Sequence, residues 1–351
     1  MTVKSALKAH SRFHRIAVDP GASAVLARPV QSSLEESGRR ASHRAYALPL
    51  TLVAILVQRE LSLDLPTQVA LMTCVVATLG VPHGALDDLL ALPFLPARWG
   101  LARLPVFVSA YLTVAALVII AWLWAPIPSL MTFLALSVIH FGSGDAPPTP
   151  GGATRAVAIG SRGLLPILLP PLMYPAPVAE IFGWLVGAPV AASSVSEVAA
   201  TVLPLAVIIW GAEIIRLVGT RRGVFDAMSE LSDLGVLGLL FTLTPPLFSF
   251  AVYFGFWHST RHILDIAERL PDDPNRGKAR MFVTLAAPLT LATLLMAGVA
   301  VLGLTLRGVD LPQGTATVVF IGLAALTVPH MLLTAFNQEG ELGHRPAVLD
   351  T

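Results

Sequence analysis

Two histidines, His258 and His262, stand four residues apart in Trp257-His258-Ser259-Thr260-Arg261-His262. On a helix that spacing stacks the two imidazoles one above the other, where both can reach a single metal ion. Three further histidines lie within or at the edges of apolar stretches: His83 in Val-Pro-His-Gly-Ala-Leu-Asp, His140 in Ile-His-Phe-Gly-Ser-Gly-Asp and His330 in Val-Pro-His-Met. Helices that brought these residues together would build a mononuclear metal site. Ionisable side chains inside a bilayer are costly, so each invites a functional explanation, with polar bonding between helices as the competing one.

Each motif carries a carboxylate nearby: Asp87 four residues after His83, Asp145 five after His140 and Asp265 three after His262. A metal-bound imidazole commonly donates its other N–H to such a group, which fixes its tautomer. Asp87, Asp145 and Asp265 are therefore expected behind the ligands, with Arg261 pairing one of them. Asp87, Asp88 and Asp145 could equally be interfacial loop residues. Imidazole suits iron, copper, zinc and nickel alike. A site of neutral nitrogens would keep an iron cationic with room for dioxygen. The H-E-x-x-H of zinc proteases is missing, as are the H-x-x-H-H boxes of di-iron enzymes.

The elements that position these residues follow from composition. The chain is 55% hydrophobic and 13% charged over 351 residues, with mean hydropathy +0.73. Soluble domains run at about 25% charged, so an all-α polytopic transmembrane bundle is expected. Stretches of about 20 apolar residues fall near 44–60, 66–84, 104–124, 127–142, 155–174, 198–217, 231–245, 247–266, 281–304 and 315–336. The pair from 231 to 266 is interrupted at Thr244-Pro245-Pro246, which leaves about eight to ten spans. Net charge of +1 gives no reason to expect a nucleic-acid partner. The single Cys74 excludes a disulfide framework and reads as a small buried hydrophobe.

Residues 1–44 hold eight basic side chains against Asp19, Glu35 and Glu36, and read as a disordered cytoplasmic tail with His10, His14 and His43 as solvated bystanders. Residues 45–337 form the membrane domain, and 338–351 a short cytoplasmic C-terminal tail. Basic residues then alternate between loops. Arg98 and Arg103, Arg155, Arg216 to Arg222, and Arg269 to Arg280 fall on the side of the tail, with Arg59 and Arg307 as exceptions. This orientation puts both termini in the cytoplasm of a multi-pass cell-membrane protein and all five histidines in one layer. Phe141, Tyr253, Phe254 and Trp257, with neighbouring aromatics, are read either as packing or as the wall of a tunnel for a flat polyene. Lys4, Lys8 and Lys278 all lie outside the spans, so a retinal Schiff base is excluded. A non-catalytic carotenoid carrier and a haem-b protein with paired axial histidines remain open.

Taken together, Pro82-His83-Gly84-Ala85-x-Asp87, His140-Phe141-Gly142-x-x-Asp145, Trp257-His258-Ser259-x-Arg261-His262 and Pro329-His330 resemble the Brp/Blh family of membrane β-carotene 15,15′-dioxygenases. The resemblance covers residues from about 70 to 340. It implies cleavage of the central double bond of β-carotene or a related carotenoid by O2, giving all-trans-retinal, with a functional link to a rhodopsin. It also implies Fe(II) held by His83, His140, His258 and His262 as the catalytic centre, with His330 behind the ligands or on the substrate side.

A histidine must be neutral to bind a metal, so protons compete with it. Metal retention measured against pH is expected to fall through the histidine range of about 6–7. Retention that is unchanged down to about pH 4, well below that range, would rule out histidine ligation.

Overall fold

The computed structural model describes residues 33–87, 91, 95, 97–146, 149, 151–219, 224–270 and 277–343. Among them there is no strand, and eleven helices follow one another. They are α1 (Ser33–Leu61), α2 (Leu65–Gly84), α3 (Arg103–Trp124), α4 (Pro126–Asp145), α5 (Ala153–Met173), α6 (Pro175–Val186), α7 (Ala192–Val218), α8 (Val224–Leu243), α9 (residues 246–269), α10 (Lys278–Leu306) and α11 (Leu311–Gly343).

Local chemistry sets the breaks. Prolines with no N–H to leave unpaired open α2, α4, α6 and α9. Asp64 caps α2 by accepting from the Thr67 amide at 3.0 Å, and the hydrogen bonds from Thr67 hold its carboxyl below the usual range. Left-handed Gly187, at φ 71°, ends α6. All ten apolar stretches are helices. α6 lies in what the sequence leaves as a loop between 175 and 197, and at 12 residues it is too short to cross a bilayer.

Seven helices, α2, α3, α4, α5, α7, α10 and α11, are long and apolar enough to span a membrane. Their outer faces expose large apolar side chains up to Trp124 at 87%, as lipid-facing surface requires and water-facing surface rarely allows. α1, α8 and α9 are more polar at one end. α9 from Pro246 to Ser259 is the centre of the bundle, with all of its residues buried except the partly buried Phe250 and Phe256. An apolar surface all round is what a helix enclosed by others needs. Cys74, expected to be buried, is exposed on α2.

Helix α1 begins at Ser33, so the boundary expected at residue 44 falls inside it. His43 is not a solvated bystander. It is buried, and its Nε2–H donates to the Phe256 carbonyl at 2.8 Å. Arg40 donates to the Asp145 and Ala146 carbonyls at the end of α4, and Arg44 pairs with Asp233 on α8 at 2.8 Å. His10 and His14, and the rest of the tail up to residue 32, lie outside the described residues, as do Asp88 and residues 344–351.

Glycine decides how closely the helices approach. A Cβ at Gly163 would run into the Val138 carbonyl, and one at Gly142 into that of Ile159, so α4 and α5 meet backbone to backbone. A Cβ at Gly80 would stand 2.5 Å from the Phe254 ring, and one at Gly255 2.7 Å from Val75, which brings α2 onto α9. Gly163→Ala is expected to cost about 1–3 kcal/mol by overpacking, read as a lowered unfolding temperature in detergent. Gly298→Ala, with open space around it, should leave that temperature unchanged.

Candidate metal centre

Both helices that carry the first and third histidine motifs widen into a π-turn at the site: Val76–Gly80 just before His83, and Tyr253–Ser259 around His258. A π-turn adds a residue to one turn and rotates the residues beyond it, a feature concentrated at functional sites. In α9 the Gly255 carbonyl accepts from both the amide and the hydroxyl of Thr260, five residues on. His43 binds the next carbonyl, that of Phe256, inside the same widened stretch. Trp257 anchors the turn from another side, donating from Nε1 to Thr51 Oγ1 at 2.9 Å.

The five histidines of the apolar segments meet in one cluster. Ring centroids are 4.7 Å apart for His140 and His258, 5.2 Å for His83 and His262, 5.4 Å for His140 and His330, and 5.3 Å for His262 and His330. Ligand nitrogens of His83, His140 and His258 all lie within 4.8 Å of one another. His262 and His330 border that tight trio without entering it.

Inside the trio, Nε2 of His258 and Nε2 of His140 face each other at 3.1 Å. For metal–nitrogen bonds of about 2.1 Å, two imidazoles sharing an ion in tetrahedral or right-angle positions stand about 3.0–3.4 Å apart. Nδ1 of His83 and Nδ1 of His258 are buried with no hydrogen-bond partner. Buried ring nitrogens in native proteins are nearly always satisfied; the His258 Nδ1 lies on the Asp145 side of its ring, and it is the converging nitrogens of His83, His140 and His258 that fit a cation. The donor set of imidazoles alone suits a transition metal.

Two of the carboxylates, Asp87 and Asp145, stand beside different histidines from those that spacing implies. Asp87 turns away from His83 and takes the Nδ1–H of His330 on both oxygens at 2.9 Å, which fixes the tautomer that leaves His330 Nε2 bare toward the cluster. Asp145 stands beside His258 rather than His140, with Nδ1 to Oδ1 at 3.8 Å, longer than a hydrogen bond. It accepts from Arg261 at 3.0 Å and from the Tyr253 hydroxyl at 2.7 Å. Asp265 lines a separate polar recess with His43 and Arg261, at the end of α1.

A cavity of about 370 Å³ opens directly on the histidines. His83, His140 and His330 form one wall, and Phe141 and Phe254 flank them. Phe254 stacks on His258 at 5.9 Å, and Phe141 meets it edge-on at 4.9 Å. Tyr253 and Trp257, expected along a substrate tunnel, do not line the cavity, because their polar tips turn to Asp145 and Thr51. A buried Tyr or Trp needs a partner for that tip, and here the need directs it into the bundle. Tyr111 does line the cavity, although nothing in its sequence context points there. Its hydroxyl reaches Asp87 and the Leu326 carbonyl, both at 3.1 Å.

A family profile described as beta-carotene 15,15′-dioxygenase matches residues 74–337. The chain belongs to that family. The match encloses all five clustered histidines and both π-turns, and membership makes the protein a carotenoid-cleaving dioxygenase. Its relatives include a beta-carotene 15,15′-dioxygenase from an uncultured marine bacterium, 30% identical over 266 residues that cover 74% of this chain and 90% of the relative. Another is a probable beta-carotene 15,15′-dioxygenase Blh from Halobacterium salinarum, 27% identical over 343 residues, 90% of this chain and 97% of the relative. No solved structure matches the enzyme.

With His330 as a further ligand, Asp87→Ala should lower metal affinity about 10–100-fold, the usual effect of removing a carboxylate behind a ligating histidine. Asp310→Ala, at an exposed position just ahead of α11, should leave affinity near wild type. The check is metal per chain after dialysis against a chelator series, and equal losses in the two variants would remove Asp87 from its assigned place.

Proposed function

We propose that the enzyme cleaves the central 15,15′ double bond of β-carotene with O2, giving two molecules of all-trans-retinal, at a non-haem Fe(II) held by His83, His140, His258 and His262. One observation carries this reading: His140, whose Nε2 faces that of His258 at 3.1 Å, lines an apolar cavity together with His83 and His330. His330, presented by Asp87, is a fifth candidate ligand.

Iron, when bound, supplies the electronic chemistry that lets dioxygen react with a closed-shell alkene. The chain supplies the rest. The cavity wall keeps water from a reaction that needs none. Phe141 and Phe254 hold a flat polyene against the histidines, and holding the reacting bond in place removes much of its entropic barrier. Asp87 keeps the His330 proton on Nδ1, while Arg261 neutralises Asp145 and prevents an unpaired buried carboxylate at the edge of the site. One carbon–carbon double bond is lost and each carbon gains one oxygen, so both atoms of O2 end in the two aldehydes and no outside reductant is consumed.

The same geometry disfavours a haem. Axial histidines bind from opposite faces of the porphyrin, and Nε2 atoms 3.1 Å apart leave no room for iron and macrocycle between them. We place the enzyme in the cell membrane with both termini cytoplasmic and the retinal passing to a rhodopsin.

Expression in cells that accumulate β-carotene, followed by chromatography of the pigments, is expected to yield retinal from the wild type and none from His258→Ala. Intact β-carotene with folded, iron-loaded wild type would overturn the assignment of substrate.

A further inference from the structure

The lining of the cavity includes residues exposed on the lipid-facing surface, the histidines His83, His140 and His330, and buried residues of α6. At one end it runs out between α3 and α10. These helices both pack against α11, with no comparable contact to each other. Leu112 of α3 and Met296 of α10 line the cavity and are also 46% and 56% exposed on the lipid-facing surface. Ala292 and Thr293 continue the same margin inward. At the other end the cavity stops beneath α6, where Val178, Ile181 and Leu185 are 4%, 6% and 5% exposed.

The closed end is rigidly placed. Tyr174, just ahead of α6, donates to the Thr242 carbonyl at 2.9 Å, and Trp122 donates to that of Leu185 at 2.8 Å. Two strips of lining residues join this end to the histidines. α4 lines the cavity from Leu130 to Phe141 and α11 from Phe320 to His330, each about 15 Å at about 1.5 Å per residue.

We infer that this cavity is a one-ended measuring channel: a carotenoid enters from the membrane between α3 and α10, its leading ring stops under α6, and the distance from that stop to the histidines selects the double bond that is cleaved. The inference rests on the carotene-cleaving function proposed above and adds to it the residues that set the position of cleavage. A cavity of about 370 Å³ lies near the low end of small-molecule sites, about 300–1,000 Å³. It houses the leading half of the chain while the trailing half occupies the mouth. Neighbouring double bonds differ little in reactivity, so position against a fixed stop is the discrimination available to the protein. The reaction at any of these bonds balances in the same way, with one double bond exchanged for two aldehydes by one O2.

The test compares aldehyde products of purified enzyme on β-carotene in lipid vesicles. Ile181→Trp advances the stop and Ile181→Ala sets it back. Both are expected to produce one aldehyde shorter and one longer than retinal, with retinal itself falling at least about tenfold, the order of effect of a misfit group in an apolar pocket. Ala292→Trp, at the mouth, should lower kcat/KM for vesicle-borne carotene by a similar factor, with retinal still the product and bound iron per chain unchanged. Val283→Trp, on an exposed part of α10 outside the cavity, should match wild type. Retinal as sole product at the wild-type rate from Ile181→Ala would overturn the channel, and the same result from a folded Ile181→Trp would do so independently. A wild type that leaves β-carotene intact would instead overturn the functional reading beneath it.

Discussion

The structure depends on how a membrane interior accommodates five imidazoles. Each carries two nitrogens, and a bilayer core offers no water to either of them. Where one ring nitrogen is bound to a neighbour, the other is directed inward, as with Asp87 and His330. Where two ring nitrogens are brought face to face, as Nε2 of His140 and Nε2 of His258 are at 3.1 Å, a shared cation can satisfy both. The converging imidazoles of His83, His140 and His258 could hold a metal ion as a member of this polar network. Stability and metal binding are linked in such a site, because the ion stabilises the only state in which the nitrogens converge.

Convergence from four different helices requires departures from regular geometry, and these sit next to the histidines. The π-turns of α2 and α9 rotate His83 and His258 out of the register their helices would otherwise impose. Close approach comes from glycine. Gly80 and Gly255 allow α2 against α9, and Gly144 lies where any Cβ would be 3.0 Å from the His258 ring. Helix α1 then closes the assembly at the end where α4 stops, with His43 on a carbonyl of the α9 π-turn and Arg40 on the Asp145 and Ala146 carbonyls. A helix outside the seven candidate spans thus contributes directly to the shape of the centre.

Much of this was legible in the amino-acid sequence. Long apolar runs gave ten of the eleven helices, because a bilayer imposes a length and an apolar composition that soluble folds do not. The convergence of His83, His140, His258, His262 and His330 followed from their sharing one depth. What was not legible depended on rotation about helix axes. Pairing each carboxylate with the histidine nearest in sequence assigned Asp87 to His83 and Asp145 to His140, whereas the bundle brings them to His330 and His258 across helix interfaces. A π-turn leaves no mark in apolar spacing, so the orientation of Tyr253 and Trp257 was hidden as well. His43 looked solvated because it stands among arginines, yet those arginines have their own partners on α4 and α8. Only α6, 12 residues between a proline start and a left-handed glycine, could have been found by its caps alone.

A carotene with identical halves poses a problem that the fold answers by being asymmetric. A symmetric tunnel open at both ends would let the chain slide, with no preferred bond beside the histidines. A fully enclosed cavity would fix the chain but would have to open for each turnover. Closing one end with a pinned short helix and leaving the other to the lipid avoids both difficulties. The same mouth that admits the substrate holds its trailing half, and the products leave toward the phase in which they dissolve. The substrate's own symmetry then makes either end equivalent as the leading one, so a channel that measures from one end cleaves at the centre whichever half enters first.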